Sequence, residues 1–486
     1  MNGIKEDMNG IKEINENEDE NKVLLESGNK RDFLGFIDIK LIPVKVAYIC
    51  YYAATGAWWP FMILFLTSLG LNPFLAGLCI CLRTAVSTFA APFWGFISDY
   101  TGRQRLLYVI LTLGMVVTIL PAPFVATQFN DFVGNSTDDV SLIPNATRSL
   151  VGPNYCTTEC GDNRMFHVMV ALFISMGLFE YTLPGFIDSN VMSIVSNHPL
   201  TNFGHQRVFG SIGFAIGSLI AGAAADHFKH DRLTNFAAAV FIAVPFLLVG
   251  LPFCMYVATK ASKSVQKEKK DDVVEEEKLT GSQLAKLTVK TCFRPYVFVY
   301  LISVLIEGVS LSFMYSFLFL HMKDEMQSTD TILGLNIAAS IIGELLFFPL
   351  SKLLIARFGS MECLVVSMFV NGIRFILLAY CKNAWLTLPI QLLHGVGFAL
   401  FFAAMIEIAY NVSPKEISAT MFGIICSLLF SVSNVVGNLL GGWIYKTYLG
   451  VTLFMFNGAL CCCWSVVIAF YYFLVPKCRK QHRPNE

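Results

Sequence analysis

Ionisable side chains inside long apolar segments are the residues of this sequence best suited to chemistry. Asp188 and Arg207 flank a short polar turn between two apolar stretches, and Glu344, Arg374 and His394 lie in three consecutive later stretches. A charge in a lipid-spanning helix is costly, so such residues usually face a water-filled cavity or an opposite charge. The sequence therefore indicates a polar path inside a membrane. For Asp188 and Arg207, a buried ion pair that only fixes helix packing is the alternative.

The three later residues are predicted to lie near the middle of a bilayer. At about 1.5 Å of rise per residue, Glu344, Arg374 and His394 fall about 12–20 Å from the ends of their helices. The hydrocarbon core is about 30 Å thick, and secondary transporters hold substrate near its midplane. A single histidine in a core is usually structural, but three ionisable groups at one depth favour a functional site.

The composition is that of a membrane protein. Of the 486 residues, 55% are hydrophobic and only 14% are charged, whereas about 25% of a soluble domain is charged. The formal net charge is zero, so no electrostatic argument for a nucleic-acid partner exists. The sequence contains no Walker loop and no nucleophile–base constellation, which argues against ATP-driven pumping and against an enzyme. No metal or cofactor site is predicted.

Twelve apolar segments are each long enough to cross a bilayer, which takes about 20 residues. They predict an all-α membrane protein with two pseudo-symmetric six-helix halves, at 44–258 and 295–475. A charged cytosolic linker at 259–294 separates the halves, and polar tails occupy 1–43, predicted to be disordered, and 476–486. The predicted spans are 44–67, 74–97, 106–127, 165–195, 207–227, 234–257, 296–320, 332–355, 361–380, 386–410, 418–444 and 452–475.

The loop after the third span provides evidence for the orientation of the chain. Basic residues are more frequent on the side of the two termini, which predicts that both termini are cytosolic and that this loop is outside. The loop carries two glycosylation acceptors, Asn135 and Asn145, and a cysteine pair, Cys156 and Cys160. A zinc site would need further ligands, so a Cys156–Cys160 disulfide is preferred. Glycans and disulfides both form on the lumenal or outer side, in agreement with the charge distribution.

The acidic N-terminal tail contains a short sorting pattern. Glu20, Leu24 and Leu25 resemble the acidic dileucine signal that endosomal sorting adaptors bind. Six-residue patterns of this kind also arise by chance, which is the alternative. The sequence therefore predicts a multi-pass protein of the plasma membrane or of the endolysosomal membrane.

The loop after the second span resembles that of a known family. Asp99, Gly102 and Arg103 belong to a Gly-x-x-x-Asp-x-x-Gly-Arg pattern that resembles the signature loop of the major facilitator superfamily. A related turn ends at Gly359 in the second half, as expected of a transporter built from two repeats. The resemblance implies a gating latch, in which Asp99 accepts hydrogen bonds at a helix end and Arg103 holds it in place. A plain basic cytosolic loop is the alternative.

Within that superfamily, short blocks resemble the lactose permease and oligosaccharide–proton symporter branch. They also resemble the animal proteins grouped with major facilitator superfamily domain-containing protein 6. The clearest block runs from Phe203 to Gly210. The resemblance implies a secondary active transporter that moves a small polar, sugar- or nucleoside-like solute by alternating access. Protons are the coupling ion that it implies.

In the first half, the resemblance assigns three residues to the solute. Asp188 matches the carboxylate that binds sugar, Arg207 matches its arginine partner, and Phe214 matches the aromatic ring that stacks on the sugar. Trp58 and Trp59 in the first span are either a second stacking platform or, as we prefer, aromatic residues at the membrane interface.

In the second half, Glu344 and His394 match residues that bind solute hydroxyls, and Arg374 matches the arginine that tunes proton release. The family carboxylate three positions after the histidine is Gly397 here, which carries no proton. Glu344, with Arg374 and His394 beside it, is then the first candidate for proton coupling, and Glu307 in the seventh span is the second. Because the family carboxylate is missing, a non-transporting receptor or scaffold with the same fold is the competing function.

Overall fold

A computed structural model of the chain describes residues 41–101, 103–124, 163–180, 182–195, 203–227, 232–268, 281–414 and 417–474. Within these residues the secondary structure is helical and contains no strand. Several predictions fall on residues outside this description and stay predictions. They concern Glu20, Leu24, Leu25, Gly102, Asn135, Asn145, Cys156 and Cys160. The side chain of Asp99 also lies outside the description.

The first half contains eight described helices. They are α1 (Ile42–Trp58), α2 (Met62–Ser68), α3 (Pro73–Thr101), α4 (Gln104–Ile119), α5 (Asn163–Gly177), α6 (Thr182–Val195), α7 (Phe203–His227) and α8 (Arg232–Glu268). A 3₁₀ turn, Trp59–Phe61, joins α1 to α2, so that both belong to the first span.

The linker and the second half contain eight more. They are α9 (Gly281–Cys292), α10 (Pro295–Met326), α11 (Asp330–Phe358), α12 (Ser360–Tyr380), α13 (Thr387–Leu392), α14 (Phe401–Val412), α15 (Ser418–Ser427) and α16 (Ser433–Leu474). Two π-helical segments, Gly395–Leu400 and Leu428–Val432, interrupt the tenth and eleventh spans. Such segments frequently occur at functional sites.

The described helices provide the twelve predicted spans. Eleven stretches are long and apolar enough to cross a membrane, and the last of them, Gly423–Tyr472, has 50 residues. Within it, Leu449 has φ 66° and ψ 174°, a conformation that is not helical and that interrupts α16. Because this stretch contains one span on each side of Leu449, the twelve-helix fold predicted from hydropathy is confirmed.

The fourth span is broken before Pro184 rather than at it. Helix α5 ends at Gly177 and α6 begins at Thr182, so Pro184 stands in the first turn of α6. A proline there costs no helical hydrogen bond, because first-turn N–H groups have no partner within the helix. The carbonyl of Glu180 instead accepts a hydrogen bond from the Tyr51 hydroxyl at 3.0 Å.

Glycines allow close contacts both within the first half and between the halves. A Cβ on Gly213 or Gly217 of α7 would collide with the α1 backbone, as the small-residue pattern of this helix predicts. A Cβ on Gly334 of α11 would lie 2.6 Å from a carbonyl oxygen of α7, and one on Gly77 of α3 would lie 2.6 Å from a carbonyl oxygen of α16. The last two contacts join one half to the other.

The two halves are also joined by hydrogen bonds at one end of the bundle. Asp226, near the C-terminus of α7, accepts hydrogen bonds from the backbone N–H groups of Asp330 at 3.0 Å and of Thr331 at 2.6 Å. The Thr331 hydroxyl donates to the same carboxylate at 2.5 Å. We call this the Asp226 end, and we call the opposite end, where α3 connects to α4, the Arg103 end.

Candidate functional site

The predicted pair of Asp188 and Arg207 is present in the first half. Nε of Arg207 lies 3.8 Å from Oδ1 of Asp188, and the Tyr48 hydroxyl donates to the same oxygen at 2.7 Å. The guanidinium lies 4.2 Å from the centre of the Tyr52 ring, within cation–π distance. The two charged side chains are 36% and 34% exposed. This exposure favours the solute-binding interpretation over a sealed ion pair that only fixes packing.

Glu344, His394 and Arg374 form one connected group in the second half. Oε1 of Glu344 lies 3.2 Å from Nε2 of His394, and the Arg374 guanidinium contacts Nδ1 of the same ring. A guanidinium only donates hydrogen bonds, so Nδ1 accepts and the ring hydrogen is on Nε2, the nitrogen that lies near Glu344. Arg374 and His394 are fully buried and Glu344 is nearly so. The structure thus brings together the three residues that the sequence places at one depth.

Glu344 also connects the two halves at mid-depth. The Ser211 hydroxyl of α7 donates to Oε2 of Glu344 at 3.4 Å. Nearby, the rings of Phe214 and Tyr315 meet edge to face, with their centres 6.0 Å apart. Arg207 interacts electrostatically with both Asp188 and Glu344, so the charged groups of the two halves belong to one site. Sequence reasoning missed Ser211 and Tyr315, because neither side chain is unusual in a spanning helix.

Glu307 lies apart from Glu344 but interacts with the same arginine. Nδ2 of Asn371 donates to Oε1 of Glu307 at 2.8 Å. Glu307 is fully buried, and Oε2 has no hydrogen-bond partner among the described residues. Arg374 interacts electrostatically with both Glu307 and Glu344. Arg374 therefore interacts with two carboxyl groups. The sequence analysis does not identify Asn371 as a polar partner of Glu307.

A second buried ion pair lies entirely within the first half. The Arg83 guanidinium pairs with the carboxylate of Glu180, to which the Trp59 indole N–H also donates. Trp58 is fully buried against two phenylalanine rings, so the expectation that it lies at the membrane interface is wrong. The Trp58 ring packs in the core, and the half-buried Trp59 uses its indole N–H on the buried Glu180 carboxylate.

The predicted latch residues lie at the Arg103 end. Arg103 is exposed and immediately precedes α4. The structure describes neither Gly102 nor the side chain of Asp99, so the proposed hydrogen bonds of the latch stay a prediction.

A cavity of about 310 Å³ lies between α3, α4 and α6. Its polar lining includes Ser98, Gln104, Ser189 and Asn190, and Asn190 also donates to the Tyr108 hydroxyl at 3.0 Å. None of the charged residues discussed above lines this cavity. We therefore locate the candidate solute site at the charged groups between the halves.

Comparison with known proteins identifies sequences and structures similar to this chain. The sequence model described as "MFS_1 like family" matches residues 41–456. The uncharacterized transporter YwbF of Bacillus subtilis (strain 168) is 21% identical over 419 residues, which cover 85% of this chain and 86% of that protein. The maltose permease of Geobacillus stearothermophilus is 22% identical over 398 residues, which cover 82% of this chain and 83% of the permease.

An animal protein and a protein of known structure are also similar to this chain. The major facilitator superfamily domain-containing protein 6-like protein of Mus musculus is 24% identical over 187 residues, 37% of this chain and 30% of that protein. The crystal structure of the nucleoside transporter NupG has a TM-score of 0.62 and 14% identity, and the match covers 90% of this chain and 99% of NupG. At this identity the structural similarity concerns the fold alone.

Proposed function

The chain belongs to the MFS_1 like family, and on that premise we propose that it moves a small polar, sugar- or nucleoside-like solute across a membrane by alternating access, coupled to protons. The family match and the relatives identify the chain as a multi-pass transporter of the major facilitator type rather than an enzyme. The solute class and the coupling are the proposal.

The observation that carries the proposal is that charged and hydroxyl groups from both halves meet in one site. Asp188 and Arg207 come from the first half, Glu344 and His394 come from the second, and Ser211 bridges them. Carboxylates accept hydrogen bonds from solute hydroxyls, and a guanidinium donates to ring or carbonyl oxygens. The rings of Phe214 and Tyr315 beside them offer an apolar face to a sugar or a base. A polyhydroxylated ring solute fits this combination.

The distribution of contacts supports alternating access. The inter-half contacts described above lie between mid-depth and the Asp226 end, whereas Asp188 and Arg207 remain about one third exposed. Helix α7 runs from Phe203 at the Arg103 end to His227 at the Asp226 end, which places Arg207 on the open side. A transporter with one end closed and the site accessible from the other is in one of the two states that alternating access requires.

A charge imbalance supports proton coupling. The mutually interacting acidic and basic side chains are three carboxyl groups and two guanidiniums, which would carry a net charge of minus one if all were ionised: Asp188, Glu307, Glu344, Arg207 and Arg374. His394 contributes no charge while Nδ1 accepts from Arg374. One negative charge is left without a partner in a low-dielectric site, which is costly, and a single proton would neutralise it.

Transport by purified protein in proteoliposomes tests the proposal. Uptake of labelled maltose, glucose, uridine and adenosine is measured with and without an inward proton gradient, and a pH-sensitive dye reports proton entry. We expect at least one solute to accumulate with the gradient. Asp188→Asn and Arg207→Gln should each lower that uptake at least tenfold, because each removes a charge-assisted hydrogen bond. If folded wild-type protein neither binds nor moves any solute of the panel, the receptor or scaffold function is favoured instead.

The cellular placement is a further part of the proposal. We place both termini in the cytosol, the loop at residues 128–163 with its two glycosylation acceptors outside, and the protein in the plasma or endolysosomal membrane. The positive-inside distribution of basic residues and the two glycosylation acceptors support this orientation. Sorting adaptors that bind acidic dileucine signals are the proposed partners of the N-terminal tail.

A further inference from the structure

Glu307 and Asn371 form a buried pair in which two acceptor atoms have no hydrogen-bond partner among the described residues. They lie on neighbouring helices α10 and α12 and are 0% and 1% exposed. Nδ2 of Asn371 donates to Oε1 of Glu307 at 2.8 Å. Oε2 of Glu307 and Oδ1 of Asn371 have no partner among the described residues, and neither atom can donate a hydrogen bond when the carboxyl group is ionised. Two buried acceptors without a donor are expensive in a membrane protein.

A single proton on Glu307 would provide a hydrogen bond for both unpaired oxygens. When Oε2 of Glu307 is protonated, it becomes a donor, and Oδ1 of Asn371 is the acceptor that the amide offers beside it. The carboxyl and amide groups can then form a cyclic pair with two hydrogen bonds. Glu344 has no such deficit, because its two oxygens lie 3.2 Å from His394 Nε2 and 3.4 Å from the Ser211 hydroxyl.

We propose that the transported proton binds to this Glu307–Asn371 pair, behind the solute site, and that Glu344 binds solute only. The inference rests on the proposed proton-coupled transport and deepens it, because it separates the proton site from the solute site. A sodium ion fits this place less well, since it needs several oxygen ligands and the pair offers two unsatisfied oxygens.

Arg374 couples the two sites. Its guanidinium contacts Nδ1 of His394 and lies 3.1 Å from the Met314 sulfur, while it also interacts electrostatically with Glu307. When Glu307 carries a proton, Arg374 stays on His394 and keeps the ring hydrogen on Nε2, beside Glu344. When Glu307 is ionised, Coulomb attraction draws Arg374 away from His394, which disorders the solute site.

This arrangement predicts symport rather than exchange of solute for protons. Protonation of Glu307 favours the ordered, solute-binding form of His394 and Glu344. By linkage, bound solute strengthens proton binding at Glu307 by the same factor. Solute and proton therefore bind together on one side of the membrane, and release of the proton on the other side lowers the affinity for the solute.

The variant Glu307→Gln tests the proposal, because a glutamine amide makes both hydrogen bonds of the protonated pair and cannot release a proton. The solute is maltose or uridine, whichever wild-type protein takes up faster. We expect Glu307→Gln to exchange labelled for unlabelled solute across the membrane, to lose accumulation driven by a proton gradient, and to lose the proton uptake that accompanies solute binding in unbuffered detergent solution. The control Glu344→Gln should bind solute at least tenfold more weakly but keep pH-dependent binding.

The outcomes separate this inference from the proposed function. If wild-type protein moves none of the solutes, the proposed function fails. If Glu307→Gln still accumulates solute with a proton gradient, only this inference is overturned. If a sodium gradient drives the wild type instead, this inference and the proton coupling of the proposed function both fail, while solute transport stands. Infrared difference spectra of the wild type provide a measurement that does not depend on the folding of a variant. We expect the band of a protonated carboxyl group at neutral pH, shifted in Asn371→Leu, and the absence of that band would contradict the proposal.

Discussion

The contact of Asp226 with the first turn of α11 gives a quantitative prediction about the transport cycle. Its carboxylate accepts three hydrogen bonds from Asp330 and Thr331 of the other half. Its negative charge also lies at the N-terminus of α11, where the helix dipole favours anions. These interactions exist only while the Asp226 end is closed. Removing them should therefore favour the state in which α7 and α11 separate.

The size of the shift follows from the hydrogen bonds that are lost. A net contribution of about 0.5–1.5 kcal/mol for each of the three bonds, with about 0.3–1 kcal/mol for the dipole, gives about 2–5.5 kcal/mol for Asp226→Ala. Since 1.4 kcal/mol corresponds to a factor of ten, the ratio of open to closed molecules should rise about 30-fold to several thousandfold. Asp226→Asn should have a smaller effect, because Oδ1 can still accept from Asp330. Thr331→Ala, which removes only the hydroxyl bond, should have the smallest effect.

Distances between spin labels at Ser68 and Glu325 measure this equilibrium. These positions lie in different halves, at the Asp226 end of the bundle. Wild-type protein should give mainly one short distance, and a longer distance should grow in the order Thr331→Ala, Asp226→Asn, Asp226→Ala. An unchanged distance distribution in folded Asp226→Ala would refute the reasoning. So would equal effects of all three variants, because the contact would then not bias the conformational equilibrium.

Three further predictions address the solute site, the orientation and the tail. Glu344→Gln should weaken binding of maltose or uridine about tenfold to a hundredfold, measured by calorimetry, since it removes a charge-assisted acceptor worth about 1.5–3 kcal/mol; unchanged affinity would exclude Glu344 from solute binding. Glycosidase treatment of protein from animal cells should increase its gel mobility, and Asn135→Gln with Asn145→Gln should abolish that change; wild-type protein without glycan would contradict the orientation. Leu24→Ala with Leu25→Ala should move the protein from endolysosomes to the cell surface by microscopy, and an unchanged distribution would identify the pattern as a chance match.

The predictions about depth along the membrane were the most successful. Glu344, Arg374 and His394 were grouped because a fixed rise per residue puts them at one level, and the structure brings the three side chains into contact. The Asp188–Arg207 pair was predicted from a charge pattern across one turn and is present. Both predictions needed only local geometry and the high cost of an isolated charge in lipid.

Predictions that depended on which side of a helix faces which neighbour were less successful. Trp58 was assigned to the membrane interface, but it packs inside the bundle. Asn371 was not singled out, although it is the partner of Glu307. A Cβ on Gly397 would lie 3.1 Å from side-chain atoms of Asn371. The position that the resemblance aligns with the family carboxylate is therefore in close contact with this amide.

The number of spans, the division into two halves and the relative depth of each ionisable group are predictable from the sequence, because hydropathy and helical rise are properties of a continuous segment. The rotation of each helix, and therefore the partners of each side chain, becomes visible in the folded bundle alone. That rotation placed Arg83 on Glu180, Arg374 between Glu307 and His394, and Asp226 on the first turn of α11. The physical reason is that rotation about a helix axis is fixed by packing among many helices at once, so that no single segment encodes it.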